Sequence, residues 1–305
     1  MKVLITGGTG FVGSHLAVEL LTHNHEVHVT SLESNAKHLA ADIPITTCDI
    51  QDRNSVVKLI QSYQPDAICH LAGLAHVVNS GKNPDHLINV NLQGIQNVAF
   101  AASNLNKKMA ILFASSAFVY GENFKEACSL NERTPTLPST PYGHVKLAAE
   151  HVLRSFENDK LSCYIARPFN HIGPGQHDSF VCPALAKRIK LAKNGDSIDV
   201  GNIHAKRDFS DVRDIARAYR LILEIQPSER IFVLGSSKTH SVLEVIQIFT
   251  KISGKSISTR ISPDLLRPND NATICADTAL AQKILGWQCK IDFESTLNDI
   301  FQASE

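Results

Sequence analysis

Charge of one sign is the first thing this chain lacks. Its 305 residues carry 30 Lys and Arg against 30 Asp and Glu, a formal net charge of zero. Without a basic excess there is no electrostatic footprint for a polyphosphate backbone, which argues against nucleic acid as a partner. Long apolar runs are also missing. None approaches the roughly 20 residues that a bilayer helix needs, so no membrane partner is expected. The chain starts directly with Lys2-Val3-Leu4-Ile5-Thr6 and then glycines, so no signal peptide is expected. The seven cysteines, at 48, 69, 128, 163, 182, 275 and 289, are odd in number and form no C-x-x-C pair. They read as reduced thiols of a cytoplasmic protein. Aromatics are scarce at 6%, but 43% of positions are hydrophobic and 20% charged, which is ordinary globular composition. The length gives one large or two interlocked domains.

What is present is alternation. Apolar, β-rich runs at 3–6, 26–30, 45–48, 67–71, 110–115 and 162–167 predict strands. Between them lie helical patterns, among them 15–22, a polar helix capped by Asp52 or Asn54, 87–104 and 140–156. Apolar strands alternating with helices predict an α/β protein with a parallel sheet covered on both faces. The pattern breaks near Pro168 into a loop rich in Pro and Gly. Helices over 183–193, 211–225 and 242–253 follow, with short strands at 198–200 and 231–234. The reading is a smaller mixed α/β cap woven through returning segments. Residues 1–168 with about 209–236 form the dinucleotide-binding domain. About 169–208 with 237–305 form the cap.

Gly7-Gly8-Thr9-Gly10-Phe11-Val12-Gly13 follows the first strand and opens the first helix. Gly7 permits a sharp turn, Gly10 removes a side chain where a pyrophosphate approaches backbone, and Gly13 allows close helix–strand packing. The helix start, at Phe11, Val12 and Gly13, presents free N–H groups to phosphates. After the second strand, Ser31 stands where an NAD site places an acid. A small hydroxyl leaves room for a 2′-phosphate that Lys37 would neutralise, while Glu33 argues the other way. NADP(H) is the expected cofactor, with NAD(H) as the alternative. Asp49-Ile50 has the look of an adenine contact, or Asp49 starts a helix.

Tyr142-Gly143-His144-Val145-Lys146 puts a phenol and an ammonium four residues apart, on one helix face. A free phenol is a poor base near neutrality. A nearby ammonium would lower its pKa. Ser115-Ser116 ends the fifth strand, where a hydroxyl can hydrogen-bond a reacting oxygen.

These stretches, with His70-Leu71-Ala72-Gly73-Leu74, Asn91-Leu92-Gln93-Gly94, Ser116-Ala117-Phe118-Val119-Tyr120-Gly121 and Arg167-Pro168-Phe169-Asn170, make the chain resemble an extended short-chain dehydrogenase/reductase acting on nucleotide sugars. The resemblance implies a Rossmann-type doubly wound parallel sheet with a C-terminal substrate cap. It implies that Ser116 is the catalytic hydroxyl and Tyr142 the acid/base, with Lys146 binding the nicotinamide ribose and tuning Tyr142. Leu71, Ala72, Gly73 and Asn91 would line the cofactor cleft. It further implies a homodimer through a four-helix bundle made by the helices near 87–104 and 140–156.

Dehydratases of this kind often carry acidic residues after the catalytic hydroxyl. Here those positions are Ala117 and Phe118, which cannot move a proton. The second half, including His171-Ile172-Gly173-Pro174-Gly175-Gln176, Phe180-Val181-Cys182-Pro183, Arg207-Asp208-Phe209 and Leu266-Arg267-Pro268, resembles GDP-4-keto-6-deoxy-mannose reductases, which form GDP-rhamnose. Arginine suits a diphosphate through charge-assisted, bidentate bonds. Arg207 and Arg267 are therefore expected on the nucleoside diphosphate of the substrate, with Asn170 and Val181 in the same pocket and His76 on the sugar. Asp211 and Asp214 read as helix-start residues. Despite fourteen histidines no metal is expected, because the densest cluster, His23, His25 and His28, straddles a helix end and a strand start. The reading is NAD(P)H-dependent reduction of a sugar C4 ketone. The alternatives are a UDP-hexose 4-epimerase and a non-catalytic cofactor sensor.

Overall fold

The computed structural model describes residues 1–32, 39, 43–74, 83–125, 129–266, 273 and 275–304. In chain order the elements are β1 (Lys2–Thr6), α1 (Phe11–Thr22), β2 (Glu26–Ser31), β3 (Ile45–Thr47), α2 (Arg53–Tyr63), β4 (Ala67–His70), α3 (Pro84–Ile88), a π-helical turn (Asn89–Gln93), α4 (Gly94–Ser103) and β5 (Met109–Ala114). A 3-10 segment (Ala117–Lys125), α5 (Pro141–Arg154), β6 (Leu161–Pro168), β7 (Asn170–Ile172), α6 (Val181–Leu191), β8 (Ser197–Val200), β9 (Lys206–Asp211) and α7 (Val212–Ile225) follow. The chain ends with β10 (Ile231–Leu234), β11 (Thr239–Ser241), α8 (Val242–Ser253), β12 (Ser258–Ile261), α9 (Ala279–Leu285) and α10 (Phe293–Ala303).

Seven parallel strands form the main sheet in the order β10-β6-β5-β4-β1-β2-β3. The expected α/β sheet covered on both faces is observed. Its strands are apolar throughout, yet they still alternate between two cores. Val3, Ile5, Ala67, Cys69, Ala110 and Leu112 face one helical layer with α1, α7 and α9. Leu4, Ile68, Ile111 and Phe113 face the other, with α2, α4 and α5. A strand between two helical layers must be greasy on both sides, which is why period-2 polarity is absent from the sequence. The chain runs outward from β1 to β3, then returns to β4 on the other side of β1. The carboxyl ends of β1 and β4 therefore open a crevice, the place where ligands bind in such sheets.

Strands β7, β9 and β11 form a second, three-stranded sheet, and β8 pairs with β12. Helices α6, α8 and α10 close over these strands in a separate core containing Ile172, Phe209, Phe249 and Phe301. β7, β9, β11 and β12 were not anticipated; each is six residues or fewer and lies in polar sequence. The predicted helix over 87–104 is interrupted. The π-helical turn adds a residue to one turn, as such bulges do. It sets buried Asn91 on the cleft side, while Gly94 presses on Ile50, where a Cβ would come within 2.5 Å of Ile50 Cδ1.

Candidate active site

The glycine turn is dictated by contacts. Gly7 has φ of +70°, and a Cβ there would lie 2.8 Å from the Ala72 backbone. A Cβ at Gly13 would lie 2.6 Å from the Gly7 carbonyl oxygen. Gly10 caps α1 without a side-chain hydrogen bond, and its missing Cβ would meet only the Gly7 oxygen, at 3.2 Å. Gly7 and Gly13 are thus required by packing, whereas Gly10 keeps an open approach to the helix N-terminus. The amides of Phe11, Val12 and Gly13 lie in the first turn, where no intrahelical acceptor exists. Phe11 stacks on His171, with centroids 6.1 Å apart, and the His15 Nε2 lies 2.9 Å from the Pro174 oxygen. These contacts bind the turn to the segment that carries Asn170.

At the sheet's switch point, the Thr6 hydroxyl and the His70 Nδ1 lie 2.7 Å apart, and the Ala72 amide donates to the same hydroxyl. Burial pushes His70 down to about 3, helped by the Lys146 charge, so the ring is neutral. Gly73 leaves a hollow in which a Cβ would sit 2.5 Å from Asn91 Oδ1 and 3.9 Å from Lys146 Nζ. Among the described residues that Oδ1 is a buried acceptor with no partner. An open glycine approach on one side and an orphaned acceptor beside an ammonium on the other fit a polar, hydroxyl-bearing dinucleotide.

Ser115 and Ser116 turn out of β5 into the 3-10 segment, where the Ser116 hydroxyl accepts from the Phe118 amide at 3.2 Å. Thr140 caps α5 by accepting from the Gly143 amide at 3.1 Å, and Pro141 supplies the fixed φ of a first helical residue. The first turn of α5 comes against the serine loop because position 143 has no side chain; a Cβ there would lie 2.5 Å from the Phe118 oxygen. As a result the Tyr142 phenol comes near enough to Ser116 for the serine hydroxyl to favour the phenolate. The Lys146 Nζ donates to the Ala114 oxygen at 2.8 Å and lies over the Phe113 ring at 4.7 Å and the Tyr142 ring at 5.8 Å. The serine, tyrosine and lysine singled out in the sequence are therefore brought together.

One expectation is corrected. Lys146 was expected to lower the Tyr142 pKa. Instead burial pushes the phenol up to about 12, with the Ser116 hydroxyl opposing, and Phe118 packs edge-on at 5.9 Å. Burial also pushes Lys146 down to about 8, with Glu150 opposing. The cost of desolvating the phenolate outweighs the pull of the neighbouring ammonium.

Elsewhere, Ser31 ends β2 and accepts from the Thr9 hydroxyl at 2.9 Å. Asp49 does not cap α2: it is exposed and accepts from the Gln51 amide at 2.9 Å, while Asp52 is the cap. Ile50 is buried against Gly94. Leu71 and Ala72 leave β4 half-buried. Asn170 opens β7 and is exposed, Val181 opens α6, and Arg207 lies in β9, where its Nη1 donates to the Lys206 oxygen. Asp211 and Asp214 are structural as expected: the first caps α7 and pairs with Arg213, and the second accepts from the Lys290 and Ile291 amides. Lys37, Glu33, His76 and Arg267 lie outside the described residues. The rings of His25 and His28 meet Glu224 and Thr46, each at 2.8 Å, and that of His23 meets the Glu19 carbonyl oxygen. Sequence reasoning missed the packing role of Gly143, the neutral His70, and a buried Glu150–Arg167 pair. Glu150 stands four residues beyond Lys146, a spacing that marks the same helix face.

Residues 4–300 match the family described as GDP-mannose 4,6 dehydratase. The chain belongs to that family. Within it, the chain is 29% identical to the GDP-6-deoxy-D-mannose reductase of Pseudomonas aeruginosa, over 98% of this chain and 95% of the relative. The structure of RMD from Pseudomonas aeruginosa complexed with NADPH superposes with a TM-score of 0.86 at 27% identity, covering 99% of this chain and 98% of the other. The Thermus thermophilus UDP-glucose 4-epimerase complex with NAD gives the same TM-score and coverage at 26% identity. These relatives place the chain among the extended short-chain dehydrogenase/reductases.

Proposed function

We propose that the protein reduces the C4 ketone of a nucleotide-linked 4-keto-6-deoxyhexose, GDP-4-keto-6-deoxy-mannose, to GDP-rhamnose or its C4 epimer, using NADPH. The observation that carries this reading is the likeness to a GDP-6-deoxy-D-mannose reductase along 98% of the chain, with Ser116, Tyr142 and Lys146 brought together at the cleft. A buried phenol that holds its proton up to about 12 is an acid at neutral pH. That is the protonation state a reduction needs, since the new alkoxide must take a proton. An oxidation, the first step of an epimerase, needs the same group as a base. Ala117 and Phe118 offer no proton carrier beside Ser116, which argues against water elimination despite the family's name.

Gly7, Gly10, Phe11, Val12 and Gly13 would hold the pyrophosphate, Ser31 and Lys37 the adenosine ribose and its phosphate, and Asp49 and Ile50 the adenine. Leu71, Ala72, Gly73 and Asn91 would line the nicotinamide side, with Lys146 on its ribose. When bound, NADPH supplies the hydride, and NAD(H) would use the same contacts apart from those to the 2′-phosphate. Ser116 hydrogen-bonds the carbonyl oxygen, and Tyr142 delivers the proton to it. Asn170, Val181, Arg207, His76 and Arg267 would receive the nucleotide sugar. Support for the GDP-linked substrate comes from the Pseudomonas reductase likeness, and for NADPH from RMD. The test is incubation with freshly made GDP-4-keto-6-deoxy-mannose and NADPH, following nicotinamide absorbance and identifying the sugar. Tightly retained NAD+, with UDP-hexose epimerised and no NADPH consumed, would give the alternative; cofactor binding without turnover on any nucleotide sugar would revive the sensor.

The division into 1–168 with about 209–236, and about 169–208 with 237–305, is supported by the separate core of the small sheet, except that Ala281, Leu285 and Trp287 pack in the main-sheet core and Phe209 in the small one. A homodimer through the helices near 87–104 and 140–156 is supported, on the first of them, by Ile88 on α3 and Phe100 on α4, large apolar residues left 41% and 37% exposed.

A further inference from the structure

Behind the proposed reactive face lies a buried ion pair that the assignment above leaves unused. Tyr142, Lys146 and Glu150 are spaced at four residues along one face of α5. Glu150 is 2% exposed and Arg167 4%. The Glu150 carboxylate accepts from Arg167 Nε at 3.0 Å, from Arg167 Nη2 at 2.6 Å and from the Ser115 hydroxyl at 2.5 Å. Arg167 Nη1 donates to the Tyr120 phenol oxygen at 3.1 Å, and that phenol donates to the Asn131 carbonyl oxygen at 2.9 Å. One carboxylate thus joins α5, the end of β5 and β6, and through Arg167 the 3-10 segment.

A buried ion pair is a poor stabiliser, because desolvation cancels much of the attraction; apolar residues of similar size often serve stability as well. Its placement answers a different need. Ser116 lies between two tethered residues, Ser115 on Glu150 and Tyr120 on Arg167. The Lys146 ammonium is buried and donates to one neutral carbonyl. The titratable groups that meet it are Tyr142 and Glu150 on α5 and His70 on β4. Of these, the phenol holds its proton and His70 is neutral, while Glu150 is paired with Arg167 on β6. Glu150 is the anion of the set and the one that favours charge on Lys146.

We propose that Glu150 is a positioning residue for the reductive site, holding the Ser115–Ser116 corner through its hydrogen bond and keeping the Lys146 ammonium charged. The proposal rests on Ser116, Tyr142 and Lys146 being the reactive set. In cofactor-free Glu150→Gln protein, the Cε chemical shift of Lys146 followed against pH should show its proton released roughly one pH unit lower than in the wild type. The alkaline limb of kcat/KM should move with it. Should Glu150→Gln fail to fold because Arg167 is left charged and buried, Ser115→Ala, which leaves the ion pair intact, carries the test. Ser115→Ala removes the tether and keeps the ion pair; kcat should fall on the order of tenfold, with KM for NADPH within about twofold. A folded charge variant in which Lys146 titrates where it does in the wild type, or wild-type kcat in Ser115→Ala, overturns the proposal. The titration needs neither cofactor nor substrate, so it is separable from the catalytic assignment. Full turnover by Tyr142→Phe would remove that assignment and leave the Lys146 titration in place.

Discussion

A phenol with 7% of its surface exposed keeps its proton, because the phenolate would be stranded away from water. At the residue scale this makes Tyr142 a proton donor near neutrality. Replacing Tyr142 by Phe removes the proton and little volume. Steady-state kinetics should show kcat lower by about 10²- to 10⁴-fold, with NADPH binding near that of the wild type. The pH profile follows from Lys146, which is charged below about 8 and neutral above it. If the charged form holds the cofactor ribose, kcat/KM should be flat on the acid side and fall as pH rises through about 8. Tyr142, protonated up to about 12, adds no limb in that range. A profile that instead rises through that pH would place the functional proton elsewhere. The spacing of Tyr142 and Lys146 was legible in the sequence. Their protonation was not, because burial, not the neighbouring charge, sets it.

At the scale of elements, the contact between α5 and the serine loop decides whether the hydroxyls meet. Gly143→Ala puts a methyl group where only 2.5 Å separates the Cβ position from the Phe118 oxygen. The helix start must shift, at a cost of about 1–3 kcal/mol. A misplacement near 1 Å should lower kcat by about 10²-fold; differential scanning and kinetics on one preparation would check both numbers. Gly10→Ala is the opposite case. Its Cβ meets a single backbone oxygen at 3.2 Å, so the free protein should melt within a few degrees of the wild type. The stabilisation by NADPH, about 2.7 kcal/mol at a hundred times Kd, should be largely lost. Equal NADPH-induced shifts in Tm for the variant and the wild type would remove Gly10 from the pyrophosphate site. The glycine turn was readable because its glycines are spaced within one short strand–helix segment, although Gly7 is pressed by Ala72, far along the chain. The π-helical turn at Asn91 was not, because the residues it meets, Ile50 and Gly73, are distant along the chain.

At the scale of the whole molecule, the exposed apolar residues Ile88 and Phe100 lie along 87–104, one of the two segments expected to pair in a dimer. Sedimentation should give twice the chain's 33.4 kDa, and Phe100→Glu should shift it toward the monomer. A monomeric wild type at assay concentrations would sink the four-helix bundle.

The sequence by itself determined the strand–helix alternation, the glycine turn and the spacing of phenol and ammonium. Each depends on residues within one or two turns of each other, where sterics and periodicity act. Only the tertiary structure decided the order of strands, the hollow shared by Gly73, Asn91 and Lys146, the carboxylate bridge from Glu150 to Arg167, and the protonation of Tyr142. Those depend on how deeply a group is buried and on what lies across from it, and desolvation and long-range contact exist only once the chain has closed on itself.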